Sequence, residues 1–275
     1  MMLNSAQAVS DVTKEVGNAI ELQGIKKHFY DKDENIIQVI KDITLEIKNK
    51  EFISIVGPSG CGKSTMFNII AGLMQPTEGK VKVLGEDIVS STGHVGYMMQ
   101  KDLLFPWRTI IENVSLGLEV KGMTKKERED IALDYLAKYG LADFAHAYPS
   151  TLSGGMRQRV ALIRTLAMDP EIILLDEPFS ALDYQTRLVL EEEILGILRD
   201  FGKTAVLITH DIGEAIAMSD RIAVMTQRPT CVKKIYDVGL AVELGSGMKA
   251  RADHRYNDFF ENIWADLDIQ IGRDS

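Results

Sequence analysis

Between Ile20 and Ile47 apolar and polar residues alternate on either side of the run Asp31-Lys32-Asp33-Glu34-Asn35. A period of two around a turn-forming stretch predicts a pair of antiparallel strands. The β-branched run Glu51 to Val56 predicts a short buried strand. A glycine-rich loop follows it, then an apolar helical stretch from Lys63 to Leu73. Val81 to Leu84 and Val95 to Met99 read as two more short strands. From about Lys101 to Pro170 the pattern turns mostly helical, with Lys125 to Tyr139 the clearest amphipathic segment. Alternation of strand and helix then resumes: a strand at Ile172 to Leu175, a long helix from Asp183 to Asp200, a strand at Thr204 to Thr209, a helix near Ile212 to Met218 and a strand at Arg221 to Thr226. Near the end Phe259, Phe260, Ile263, Trp264 and Leu267 form one apolar helical stripe, so that a strand and a helix are expected after Gln227.

Strand-loop-helix order repeated on both sides of a helical block predicts an α/β core interrupted by an α-helical insertion, with an antiparallel β subdomain at the N-terminal side. The expected divisions are a flexible tail at residues 1–19, the core at 20–100 and 171–230, the helical subdomain at 101–170, and a C-terminal strand and amphipathic helix at 231–275. Residues 1–17 lack the apolar segment of a signal peptide, and nowhere do eighteen uncharged apolar residues run together, so a membrane span is not expected.

Composition narrows the function classes. A net charge of −9 argues against a protein that coats phosphate backbones. The densest basic stretch, Lys125, Lys126 and Arg128, is interleaved with acids and reads as a solvated helix face. The two cysteines, Cys61 and Cys231, are too few for a disulfide framework and lack metal-ligand spacing.

Gly57-Pro58-Ser59-Gly60-Cys61-Gly62-Lys63-Ser64 fits G-x-x-x-x-G-K-[ST], the phosphate-binding P-loop. Glycines let backbone amides turn inward as an anion nest, and the following helix points its positive end at the same place. Lys63 is expected to reach the β- and γ-phosphates, Ser64 to coordinate Mg²⁺, and Thr65 to add a contact on the α-phosphate side. Chance would produce this pattern in such a chain on the order of one time in a hundred, and its place between a strand and a helix lowers that further. Ile172-Ile173-Leu174-Leu175-Asp176-Glu177 supplies the second half: a buried strand with Asp176 at its carboxyl end, placed to hold Mg²⁺ largely through water, and Glu177 beside it to polarise the attacking water. Taken alone, a strand ending in Asp-Glu is an ordinary surface turn. The P-loop upstream reverses that balance.

Leu152-Ser153-Gly154-Gly155-Met156-Arg157-Gln158-Arg159 starts a helix with small residues, a second anion-facing helix end in a chain that already has one. Here the sequence resembles the ABC transporter ATPases, whose signature is LSGGQ, with Met156 in place of the glutamine. The resemblance covers about Ile20 to Gln227. It implies a RecA-like P-loop NTPase core and a glutamine at Gln100 that senses Mg²⁺ and the attacking water. It implies further a loop Ser180-Ala181-Leu182-Asp183 crossing a dimer interface, and a switch histidine at His210 that contacts the γ-phosphate. The aromatic that stacks on adenine is expected from His28-Phe29-Tyr30, with Phe29 preferred from its position relative to Lys27 and Tyr30 the alternative. Two copies are expected to face head-to-tail, Ser153, Gly154 and Gly155 of one closing on the ATP held by Lys63 of the other, with Asp183 at the same interface.

Pro106-Trp107 just after Gln100, and Arg228-Pro229 before a terminal strand and helix, resemble the nitrate, sulfonate and taurine importer group. That implies integral-membrane permease subunits as partners, a solute-binding protein acting indirectly, and a position at the cytoplasmic face of the membrane. The Pro-Trp segment would border the groove that receives a permease helix; the plainer reading is that Trp107 packs the helical subdomain. Two alternatives stand beside an importer: the ATPase of a separate-chain exporter, and a nucleic-acid- or ribosome-linked ABC ATPase. The stretch between Lys63 and Asp176 is too short for a long coiled coil, and a single acidic module argues against a translation factor.

Overall fold

A computed structural model describes residues 17–88, 93–180 and 182–267. Most of the expected N-terminal tail, and Ala181, lie outside the described residues. Two long strands open the fold, β1 (Asn18–Tyr30) and β2 (Ile36–Lys48), followed by β3 (Phe52–Val56), helix α1 (Lys63–Ile70), β4 (Glu78–Val83), the two-residue β5 (Glu86–Asp87) and β6 (Val95–Met98). The helical block comprises α2 (Ile110–Val114), α3 (Leu116–Val120), α4 (Lys125–Lys138) and α5 (Gly154–Leu166). Then come β7 (Ile172–Asp176), α6 (Tyr184–Asp200), β8 (Thr204–Thr209), α7 (Ile212–Met218), β9 (Arg221–Met225), β10 (Thr230–Asp237), α8 (Leu240–Leu244), α9 (Gly247–Ala252) and α10 (Arg255–Asp266).

All ten strands join one sheet in the order β5-β4-β1-β2-β10-β9-β3-β8-β7-β6. The half from β9 to β6 is parallel and the half from β5 to β2 antiparallel. Every residue of β3, β7 and β8 is buried, the pattern of strands covered on both faces. One face, with Phe52, Val56, Ile173 and Leu175, packs against α5, α6, α7 and α10. The other, with Ile53, Ile55, Leu174 and Ile208, packs against α1 and the inner face of the antiparallel strands. A separate core, built on Ile110, Val114, Ala132, Leu136, Val160 and Ile163, holds the helical block together.

Four expectations need correction. The helix after the P-loop ends at Ile70 rather than Leu73: Gly72 turns into the left-handed region at φ 70° and Leu73 points into solvent. Among the described residues the C-terminal segment holds three helices, not one, and its strand is no appendage. β10 is antiparallel to β9 and touches β2 in parallel at Thr230 and Cys231, so it stitches the two halves of the sheet together. The α10 stripe is wider than its core contact: Ile263 and Leu267 are buried, while Phe260 and Trp264 stack on each other at 6.2 Å facing outward. Finally, only Lys125 and Lys126 of the basic stretch are fully exposed; Arg128 turns back to Glu119 at 3.1 Å, which Arg108 also reaches at 2.7 Å.

Candidate nucleotide site

Buried β3 delivers the chain to the P-loop at the carboxyl end of the parallel sheet. Gly62, at φ 120°, could not carry a side chain there, because a Cβ would sit 2.8 Å from Val39 Cγ1. Gly57 is constrained by space instead, its missing Cβ falling 2.9 Å from that of Met225. Ser59 and Gly60 form the exposed crest of the loop, and Cys61 is buried beneath it, its thiol pushed up by burial. The first turn of α1 has no side-chain cap, so its amides face the loop without competition from a serine or aspartate. Lys63, 7% exposed, donates to the carbonyls of Gly57 at 2.8 Å and Pro58 at 3.1 Å, which keeps its ammonium inside the curl of the loop. Ser64 lies at its outer rim and Thr65 beside it, half-buried.

Asp176 closes β7 and is 9% exposed. Burial pushes its carboxyl up; hydrogen bonds from the Ser64 and Tyr97 hydroxyls push it back down, the latter at 3.2 Å. Ser64 and Asp176 are thus in contact, and a hydroxyl with a carboxylate is the hard oxygen donor set that suits Mg²⁺. Gln100 is not joined to them. Its amide turns to Glu177 Oε2 at 3.1 Å and Ser180 Oγ at 3.3 Å. Glu177 stands at φ 47°, a left-handed conformation that costs a non-glycine residue about 1–3 kcal/mol. Its amide is anchored to Ile208 O on β8 at 2.9 Å, and its carboxylate lies 3.5 Å from His210 Nδ1. One carboxylate oxygen therefore gathers Gln100 from the end of β6 and His210 from the end of β8. Tyr97 and its bond to Asp176 escape a reading along the chain, since only the β6–β7 pairing brings them together. A hydroxyl in an otherwise apolar strand was the one available signal.

Ser153 caps α5, its Oγ accepting the Met156 amide at 3.3 Å, and stays exposed. The two glycines after it differ. A Cβ on Gly154 would find ordinary contact distances, whereas on Gly155 it would meet Thr186 Cγ2 at 2.8 Å, so Gly155 is the seat on which α6 packs. Helix α5 lies against α2, α3, α4, α6 and β6. Asp183 caps α6 by accepting the Thr186 amide at 3.0 Å, and the Thr186 hydroxyl, followed by that amide, holds its carboxyl below the usual range. Three side chains of α5 grip the segment after β6: Arg157 bonds Asp102 at 3.0 Å, Gln158 the Gln100 carbonyl at 3.2 Å, and Arg164 the carbonyls of Asp102 and Leu103 at 2.7 and 2.8 Å. Nothing in the linear pattern announces this grip.

The β1–β2 register pairs Phe29 with Ile37 and Tyr30 with Ile36. Opposed residues share a face, and Ile37 packs against the same core cluster as Val39, the residue that abuts Gly62. Phe29 is therefore on the P-loop side, with Lys27 Nζ 5.2 Å from its ring centre, and Tyr30 on the other. At the far edge Trp107 is 71% exposed and stacks on Phe105 at 5.1 Å, so it is not a packing residue of the helical block.

The description "ABC transporter" matches residues 40–180 of this chain. The uncharacterized ABC transporter ATP-binding protein YtlC of Bacillus subtilis is 45% identical over 240 residues, 87% of this chain and 92% of that one. The taurine import ATP-binding protein TauB of Yersinia pestis is 40% identical over 213 residues, 78% of this chain and 84% of that one. Among solved structures, the dimeric post-hydrolysis state of the ATP-binding cassette MJ0796, bound to ADP and Pi, matches at a TM-score of 0.70 with 37% identity, over 80% of this chain and 98% of that one.

Proposed function

This chain belongs to the ABC transporter family, and on that footing we propose that it is the ATP-binding and ATP-hydrolysing subunit of an importer for a small solute of the nitrate, sulfonate or taurine kind. The observation that carries the reading is the meeting of Gln100, Glu177 and His210 at one carboxylate oxygen beside the P-loop. Phe29 stacks on the adenine. Amides of Gly57 to Thr65, with Lys63, bind the phosphates. Ser64 and Asp176, with Gln100 as a third ligand, would hold Mg²⁺, which would supply charge neutralisation at the phosphates. Glu177 accepts a proton from the attacking water, help worth roughly 10²–10⁴-fold. Gln100 and His210 orient that water and the terminal phosphate.

The signature residues Ser153, Gly154 and Gly155 are on a helix that packs away from α1, which supports a composite site completed by a second copy, with Asp183 at the seam. Cutting the γ-phosphate removes the charge that bridges the copies and lets them separate. No helix among the described residues is long and apolar enough to cross a membrane; passage through the bilayer is assigned to permease subunits docked near Trp107 at the cytoplasmic face, served by a solute-binding protein. The Pro-Trp segment and the taurine-importing relative support the solute class.

The test is ATP turnover and solute uptake in vesicles carrying this chain together with its permease subunits. The expected result is ATP-driven uptake, lost in Glu177→Gln, whose subunits accumulate as an ATP-bound dimer on sizing chromatography. A chain that turns over no ATP, or a Glu177→Gln protein that remains monomeric with ATP, overturns the proposal.

A further inference from the structure

Behind His210 lies a buried group of charges that the hydrolytic site does not use. Thr209 Oγ1 accepts the Asp211 amide at 3.0 Å and donates to Glu214 Oε2 at 2.9 Å, so Asp211 and Glu214 are both fastened to the hydroxyl of the residue before His210. Asp211 caps α7 through the Glu214 amide at 3.1 Å, and its other oxygen is held by Arg187 at 3.0 Å. Glu214 and Glu191 are each 4% exposed, and one oxygen of each has no hydrogen-bond partner among the described residues. Two acids buried together repel each other if both ionise, and each tends to displace the other.

The compensating charge comes from the C-terminal helices. Arg251 of α9 bonds Glu191 at 2.5 Å and the Tyr256 hydroxyl of α10 at 3.3 Å. That hydroxyl also presses on the first turn of α7: a Cβ on Gly213 would lie 2.5 Å from it. The backbone of α7 is thus clamped three residues beyond His210, between α6 on one side and α9 and α10 on the other.

We propose that Arg251 and Tyr256 are positioning residues for His210, through which the C-terminal helices fix the switch histidine against Glu177. This rests on the role given above to His210. Without Arg251 the Glu191 carboxyl loses its counter-charge beside Glu214 and Asp211, and whether it takes up a proton or repacks, α9 no longer braces the turn that carries His210. A displacement of that turn lowers turnover by between about 10- and 100-fold, while the P-loop, on β3 and α1, keeps its grip on ATP.

The experiment uses the full chain. With five histidines, the imidazole signals resolve by NMR, and His210→Ala identifies the one of interest. In Arg251→Met the His210 signal is expected to move while those of His28, His94 and His146, which lie outside α7, α9 and α10, stay; kcat is expected to fall with ATP affinity unchanged, and Arg251→Met with Glu191→Gln to recover activity by removing the orphaned charge. Tyr256→Phe, which takes away a single oxygen, is expected to move the same signal and serves if Arg251→Met does not fold. A His210 signal unmoved in both variants, or kcat unchanged despite a moved signal, overturns the inference. So does a loss of ATP affinity and thermal stability together with activity, without recovery by Glu191→Gln. Full hydrolysis by His210→Ala would instead remove the reading of the site itself.

Discussion

The side-chain amide of Gln158 donates to the backbone carbonyl of Gln100 at 3.2 Å. This bond joins α5 to the residue that faces Glu177, so a tilt of the helical block pulls on the contact between Gln100 and Glu177. With Arg157 and Arg164 gripping the same segment, α5 and the loop after β6 move as one piece. Trp107 lies farther along the same segment, so under the proposed docking near Trp107 a permease would have a mechanical line to Glu177.

Replacing Gln158 by leucine keeps the volume and removes the bond. One hydrogen bond is worth about 1 kcal/mol, so turnover stimulated by the permease is expected to fall about fivefold, with ATP affinity unchanged by calorimetry. Equal stimulation in both proteins would show that the arginines suffice.

Trp107→Ala removes a ring that is 71% exposed, so the thermal midpoint is expected to stay put, the change in stability lying within about 0.5 kcal/mol. Coupling of hydrolysis to uptake should drop while basal turnover holds. A clear loss of stability would return Trp107 to a packing role.

Lys63→Ala empties the curl of the P-loop of its only ammonium. Hydrogen bonds to charged groups contribute roughly 1.5–3 kcal/mol, which translates into at least a tenfold weaker ATP dissociation constant by calorimetry. Undiminished affinity would mean that the phosphates bind elsewhere.

Gly155→Ala forces a Cβ to 2.8 Å from Thr186 Cγ2. Overpacking of this kind costs about 1–3 kcal/mol, read as a lower thermal midpoint. Thr186→Ser deletes the opposing methyl group and is expected to recover most of the loss. Gly154→Ala, which meets only ordinary contacts, should leave the midpoint nearly unchanged.

Burial, followed by the nearby Glu191 charge, holds the Glu214 carboxyl well above its ordinary 4.5. The folded chain therefore keeps a proton that the unfolded chain releases. The stability this gives is complete below the unfolded value and is lost as pH rises through the folded one. Glu214→Gln, which cannot titrate, is expected to show a shallower fall in thermal midpoint than the native chain as pH rises above the ordinary carboxyl value of 4.5. Parallel curves would show that Glu214 is ionised throughout.

The sequence by itself determined the parts whose chemistry is local. A P-loop is legible because its glycines, lysine and serine are consecutive and each answers to a backbone or phosphate requirement within a few ångströms along the chain. The same holds for the strand ending in Asp176 and Glu177 and for the serine-glycine start of α5. What tertiary structure alone decided are the relations between elements far apart in the chain: the left-handed turn that aims Glu177 at Gln100 and His210, the Tyr97 hydroxyl on Asp176, and the packing of Arg251 and Tyr256 behind His210. β10 shows the same limit, since its alternation predicts a strand but not that it closes the seam of the sheet. Periodicity reports which face of an element is buried. It carries no record of which neighbour buries it, because that is fixed by the packing of the whole chain.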